Sequence, residues 1–135
     1  MYTVSARAHF DAAHFLAGYP GKCANLHGHR WTVVAEVRSE TLNAGSMVID
    51  FKDLKAPIQA LADEWDHALL MEEGTLKPAT RTALNEEGFR IVTLPCRPTA
   101  ENLARLFFER LQGAGVSVCR VKVYETPDTY AAYEE

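Results

Sequence analysis

At 135 residues, with 47% hydrophobic and 24% charged residues, the chain has the balance of one soluble globular domain over 1–135 and too little length for two. A net charge of −4 argues against a general nucleic-acid binder, and no apolar run approaches the roughly 18 residues of a transmembrane helix. No Lys/Arg-headed apolar start signals a secretory leader, and three widely spaced cysteines, Cys23, Cys96 and Cys119, form no disulfide framework and fit a reducing, cytoplasmic setting.

The first stretch, YTVSARAHFDAAHF, alternates. Val4, Ala6, Ala8, Phe10, Ala12 and His14 share one parity, the signature of a strand with one buried face. GYPGK interrupts it. HGHRWTVVAEVRSE alternates again, with Trp31, Val33, Ala35 and Val37 on one side. MVIDF reads as a short strand or an extended lead-in to a helix. From Asp50 or Phe51 the period changes: Leu54, Ile58, Leu61 and Trp65 form one helical stripe, with Pro57 in its first turns. MEEGTLKPATRTALNEEG carries weak signals, and FRIVTL reads as a strand. In RPTAENLARLFFERLQGAG, Thr99 can cap a helix whose stripe is Leu103, Leu106, Phe107 and Leu111, ended by Gly113 and Gly115. VSVCRVKVYE is the last strand. Two alternating strands joined by a loop suggest an antiparallel pair, so an α+β fold is expected rather than a doubly wound sheet. A sheet this small has open edges, which association between copies would cover.

His27 and His29 lie two apart, which on a strand puts both side chains on one face, roughly 7 Å apart. They extend the parity of Trp31 and Val33, and His14 ends the apolar face of the first strand. Pairing the two strands brings three imidazoles to one end of one face. Neutral imidazole is a good zinc ligand, and three leave a fourth position open. The plainer alternative is three satisfied polar residues at strand ends. Cys23, four residues before His27, has three readings: a fourth ligand closing a structural site, a free thiol reacting as the thiolate beside Lys22, or an inert cysteine. Asp66 and His67 follow the helical stripe and read as a carboxylate–imidazole pair, or as a solvated pair at a helix end. Glu125 shares the parity of Val121 and Val123, so a carboxylate ends an apolar strand face and needs donors there.

FDAAH, C-x3-H-G-H, VIDF, DH, PTAEN and a terminal VYET, in this order over nearly the whole chain, resemble the 6-pyruvoyltetrahydropterin synthase family. The gap of three residues before H-G-H and the continuation Arg30-Trp31 are closer to its bacterial branch, the 6-carboxytetrahydropterin synthases of queuosine (7-deazaguanine) biosynthesis. The resemblance implies the tunnelling fold: a four-stranded antiparallel sheet with two helices on one side, three subunits closing a barrel, and two trimers stacked as a hexamer. It implies Zn2+ held by His14, His27 and His29. It implies Cys23 as the proton-abstracting base, Asp66 and His67 as a proton relay, Glu125 as the pterin anchor grouped with that relay, and Thr99 among the substrate-binding residues. Sites are implied to lie between subunits. The implied substrate is 7,8-dihydroneopterin triphosphate and the implied reaction a lyase cleavage releasing acetaldehyde and triphosphate; the pyruvoyl synthase, without side-chain cleavage, is the alternative enzyme, and a non-catalytic zinc-stabilised module with Cys23 as fourth ligand is an alternative of another class. Neither nucleic acid nor membrane is an implied partner. The stretch from Met71 to Cys96 is longer than in compact bacterial members, and its FRIVTL is expected to add an edge strand or hairpin.

Overall fold

In the computed structural model, which describes residues 1–135, the alternating N-terminal segment forms β1 (Tyr2–His14) and the second forms β2 (His27–Ser39). They pair antiparallel without a bulge from Tyr2↔Ser39 to His14↔His27. The parity follows the sequence: Ala8, Phe10, Ala12 and His14 are buried, as are Trp31, Val33, Ala35 and Val37.

Met47 to Asp50 form no strand; they lead into α1 (Phe51–Trp65). The Asp50 carboxylate caps that helix, accepting from the Lys52 amide at 2.9 Å, and Pro57 is accommodated within it. Leu54, Ile58, Ala62 and Trp65 face the core. After α1 come β3 (Ala68–Glu72), α2 (Pro78–Glu86) and β4 (Ile91–Leu94), then α3 (Ala100–Gly113), β5 (Arg120–Thr126) and β6 (Thr129–Glu134). Thr99 Oγ1 accepts from the Asn102 amide at the start of α3, at 3.3 Å.

The strands form one sheet in the order β4-β3-β1-β2-β5-β6. This corrects the expected four antiparallel strands with two helices: the sheet has six strands and is mixed, and there are three α-helices. The antiparallel part is β1-β2-β5-β6; β3 and β4 add two parallel strands at the β1 edge. β4 is the edge strand anticipated from FRIVTL. The strand β3 is hidden in the sequence because Ala68–Leu70 follow an apolar helix stripe with only Asp66 and His67 between. Helix α2 buries none of its residues, so it carries no strong apolar stripe to read. β6 is reached through a tight hairpin at Pro127-Asp128.

α1 and α3 pack on the same sheet face, and Phe10 ties that layer together. Its ring centroid lies 6.1 Å from Trp31, 5.9 Å from Trp65 and 5.8 Å from Phe107, so one residue bridges the sheet and both helices. The other face carries exposed Arg7, His9, Arg30 and Arg38. Three edges stay open: the outer sides of β4 and β6, and β1 ahead of Ala12, because β3 pairs with β1 only from Ala12 to His14. No helix is long and apolar enough to cross a membrane.

Candidate active site

The β1–β2 register assembles the centre of the site. His14 and His27 are direct cross-strand partners, and His29 pairs with Ala12, so it is the diagonal neighbour of His14. The three imidazole centroids are 4.6 to 5.2 Å apart, and one nitrogen of each ring falls within 4.8 Å of the other two. This group could hold a metal ion. The Cys23 thiol is not a member of it.

The hydrogen bonds fix which nitrogens converge. His14 Nδ1 lies 2.7 Å from the Pro98 carbonyl and His27 Nδ1 lies 2.6 Å from the Asn25 carbonyl. A carbonyl only accepts, so each Nδ1 carries the proton and donates it. In neutral rings both Nε2 atoms are then bare lone pairs, yet they face each other at 3.1 Å. Neither can donate to the other, so the arrangement calls for a cation between them. Two nitrogens bound tetrahedrally at about 2.0–2.1 Å lie roughly 3.3 Å apart, close to the 3.1 Å found here. His29 Nε2 is buried and has no hydrogen-bond partner. Burial pushes the His14 and His29 pKa values below the ordinary 6.5, against the opposing pull of the Pro98 carbonyl on His14 and of Glu125 on both. The neutral, ligating form therefore persists to lower pH than in a free imidazole. The donor set fits zinc, which takes three histidines and an open fourth position in catalytic sites. His14 is 1% exposed and packs edge-on to Trp31, so the centre rests on the rigid core.

Glu125 reaches the same place from β5. The alternation that buries Val121 and Val123 carries its half-buried side chain on to the histidines, with Oε1 3.4 Å from His14 Nε2 and 3.5 Å from His29 Nε2. Cys23 sits in a 3₁₀ turn, Lys22–Ala24, whose loop is closed by the Leu16 amide donating to the Cys23 carbonyl at 2.8 Å. It is half-buried and free. Together with His14, Glu125, Thr99, Tyr19 and Tyr130 it lines a cavity of about 240 Å³.

Asp66 and His67 are elsewhere. Asp66 closes α1 in extended conformation, and His67 then takes a left-handed φ of 57°, which reverses the chain into β3. The pair is pinned to β1: Asp66 Oδ1 accepts from the Asp11 amide at 2.8 Å, and the His67 amide donates to the Asp11 carbonyl at 2.6 Å. His67 Nδ1 donates to Asp66 Oδ2 at 2.9 Å. The Asp11 N–H, and then the His67 hydrogen bond, hold the Asp66 carboxyl below its usual range. His67 lines a separate cavity of about 620 Å³ with His29, Leu26, Phe89 and Arg90.

One chain thus brings together His14, His27, His29 and Glu125, and sets Cys23 and Thr99 on the same cavity as His14 and Glu125. It does not bring Asp66 and His67 to that cavity. The carbonyls of Asn25 and Pro98, which orient two of the histidines, escape a reading by side-chain type; both lie inside the motifs C-x3-H-G-H and PTAEN.

The 6-pyruvoyl tetrahydropterin synthase family model matches residues 3–135. A 6-carboxy-5,6,7,8-tetrahydropterin synthase of Haemophilus influenzae is 34% identical over 141 residues, covering 100% of each chain. One of Aquifex aeolicus is also 34% identical, over 84% of this chain and 76% of its own. Among solved structures, an uncharacterized protein of Wolinella succinogenes superimposes with a TM-score of 0.81 at 21% identity, covering 99% of this chain and 98% of that one, a likeness of fold alone. The 6-pyruvoyl tetrahydropterin synthase of Caenorhabditis elegans gives 0.74 at 25% identity, over 99% and 95%.

Proposed function

The chain belongs to the 6-pyruvoyl tetrahydropterin synthase family, and on that premise we propose that it is a zinc-dependent 6-carboxy-5,6,7,8-tetrahydropterin synthase serving queuosine biosynthesis. The observation that carries the proposal is the pair of bare Nε2 atoms of His14 and His27 at 3.1 Å, each ring fixed by a carbonyl, with Cys23 and Glu125 on the adjoining cavity. The full-length likeness to proteins named for the carboxy product supports the branch.

The substrate is 7,8-dihydroneopterin triphosphate. Zinc held by His14, His27 and His29 would act as a Lewis acid on the oxygens of the substrate side chain, making the neighbouring C–H bonds more acidic. Glu125 accepts N–H bonds from the pterin ring and fixes its orientation, with Thr99 beside it on the cavity wall. Cys23, as thiolate, takes the side-chain proton, and His67, held by Asp66, returns one elsewhere. The electron pair left by that first proton shifts into the pterin ring, where the proton from His67 captures it; loss of a second side-chain proton, next to the carbon that bears the triphosphate, supplies the pair that expels triphosphate. Addition of water and cleavage of the side chain then give 6-carboxytetrahydropterin and acetaldehyde. His67 lines a different cavity from Cys23, one it shares with His29, and we take the relay that serves Cys23 to come from a neighbouring subunit. The open edges of β1, β4 and β6 support that association, and we take the assembly to be a hexamer of two trimers. Light scattering at micromolar concentration is expected to give a mass near six chains; a monomer with full turnover would rule out a shared site.

The zinc-loaded protein, incubated with 7,8-dihydroneopterin triphosphate, is expected to release triphosphate and acetaldehyde in equal amounts with 6-carboxytetrahydropterin. Triphosphate without acetaldehyde would assign the pyruvoyl reaction instead. Neither product would refute the enzyme reading.

A further inference from the structure

The helix that carries Asp66 at its end has the wrong charge there. Asp63 and Glu64 occupy the last turn of α1, and no basic residue of the helix itself lies in it. Carboxylates at a helix C-terminus oppose the dipole, and the last carbonyls need donors. Arg110 of α3 pairs with the Glu64 carboxylate at 2.7 Å, and the carbonyls are met from β4's leading edge. One Arg90 guanidinium nitrogen, Nη1, donates to the Asp66 carbonyl at 2.9 Å; the other, Nη2, donates to the carbonyls of Asp63, at 3.2 Å, and Glu64. The Arg90 backbone carbonyl also accepts from the Leu69 amide at 2.9 Å, two residues past His67.

His67 is therefore bracketed. On one side its amide and the Asp66 carboxylate are tied to Asp11 of β1; on the other the peptide just before it is tied to Arg90. Between these clamps His67 holds a left-handed φ of 57°, a conformation that non-glycine residues adopt at a cost and keep only when neighbours enforce it. Its imidazole is itself 79% exposed, so packing does not orient it. The hydrogen bond to Asp66 orients the ring, and Asp66 stands where Arg90 and Asp11 hold it.

We infer that Arg90 is a positioning residue for the Asp66–His67 pair, setting where the pair presents its proton; this rests on the relay role proposed above. Arg90 comes from the β3–α2–β4 segment, which thereby acquires a task in the reaction beyond widening the sheet.

Arg90→Met keeps the aliphatic stem and removes the donors. Metal content, assembly mass and KM for dihydroneopterin triphosphate are expected to stay, and kcat to fall about 10–100-fold, the effect of a displacement near 1 Å. Arg90→Lys, which retains a cation and N–H donors, should recover part of that loss. On a His67→Ala background, adding Arg90→Met should change nothing further, because the group it positions is gone. A wild-type kcat in Arg90→Met, or the same additional loss on the His67→Ala background, overturns the inference. If the methionine variant does not fold, Arg90→Lys decides: a lowered kcat at unchanged KM supports the role and a wild-type kcat refutes it. If the wild-type protein turns over no pterin triphosphate, the functional proposal fails by itself. Positioning is then read from ¹⁵N-labelled histidine in Arg90→Lys: a shifted His67 Nδ1 resonance supports it and an unmoved one overturns it.

Discussion

Cys23→Ala is expected to keep its zinc, its assembly and its affinity for a pterin while losing about 10²–10⁴ in kcat, the contribution of a positioned base. The thiol lies on the cavity that His14 and Glu125 share, but its sulfur stands outside the cluster of converging nitrogens. The Leu16–Cys23 backbone bond holds the loop without using the side chain, so the substitution leaves that bond in place. Parallel loss of zinc and activity would make the sulfur a ligand. Intact activity would give the base role to another group.

His27→Ala is expected to lose metal: affinity should fall by at least roughly 100-fold, since even changes to groups that merely orient metal ligands cost 10–100-fold. His27 is the cleaner choice than His14. His14 is buried at 1% and supports Trp31, so its removal opens a core cavity as well as the metal site. His27 is only half-buried at the strand's start, so its loss is chiefly a loss of a ligand. Metal analysis after dialysis, with the secondary structure checked by circular dichroism, reads this directly. Full zinc occupancy in the variant would remove His27 from the ligand set.

Much of this site was legible in the chain. The alternation from Val4 to His14 and from His27 to Val37 put three imidazoles on one face, and the register His14↔His27 then made them neighbours. The parity of Val121 and Val123 carried Glu125 to the same centre. The stripes of α1 and α3 were readable because both helices bury one face against a sheet. What stayed hidden depended on partners distant in sequence. β3 follows α1 with no polar break long enough to separate an apolar strand from the apolar helix before it. β4 was visible as a strand, but its parallel pairing was not, because periodicity does not encode direction. The protonated nitrogens of His14 and His27 are set by backbone carbonyls, which have no residue-type signature. Arg90, 23 residues past His67, reads from sequence as an ordinary strand-edge cation; only the ending of α1 beside β4 turns it into a clamp.

The central claim is an open metal site built from three imidazoles, with the neighbouring thiol left free to move a proton. Zinc-edge X-ray absorption on the zinc-loaded protein tests it most directly. The expected spectrum has only nitrogen and oxygen scatterers at about 2.0–2.1 Å, three of them from imidazole. A sulfur shell at about 2.3 Å would contradict it, because Cys23 would then close the site and the chain would hold zinc as a structural module rather than as a catalyst.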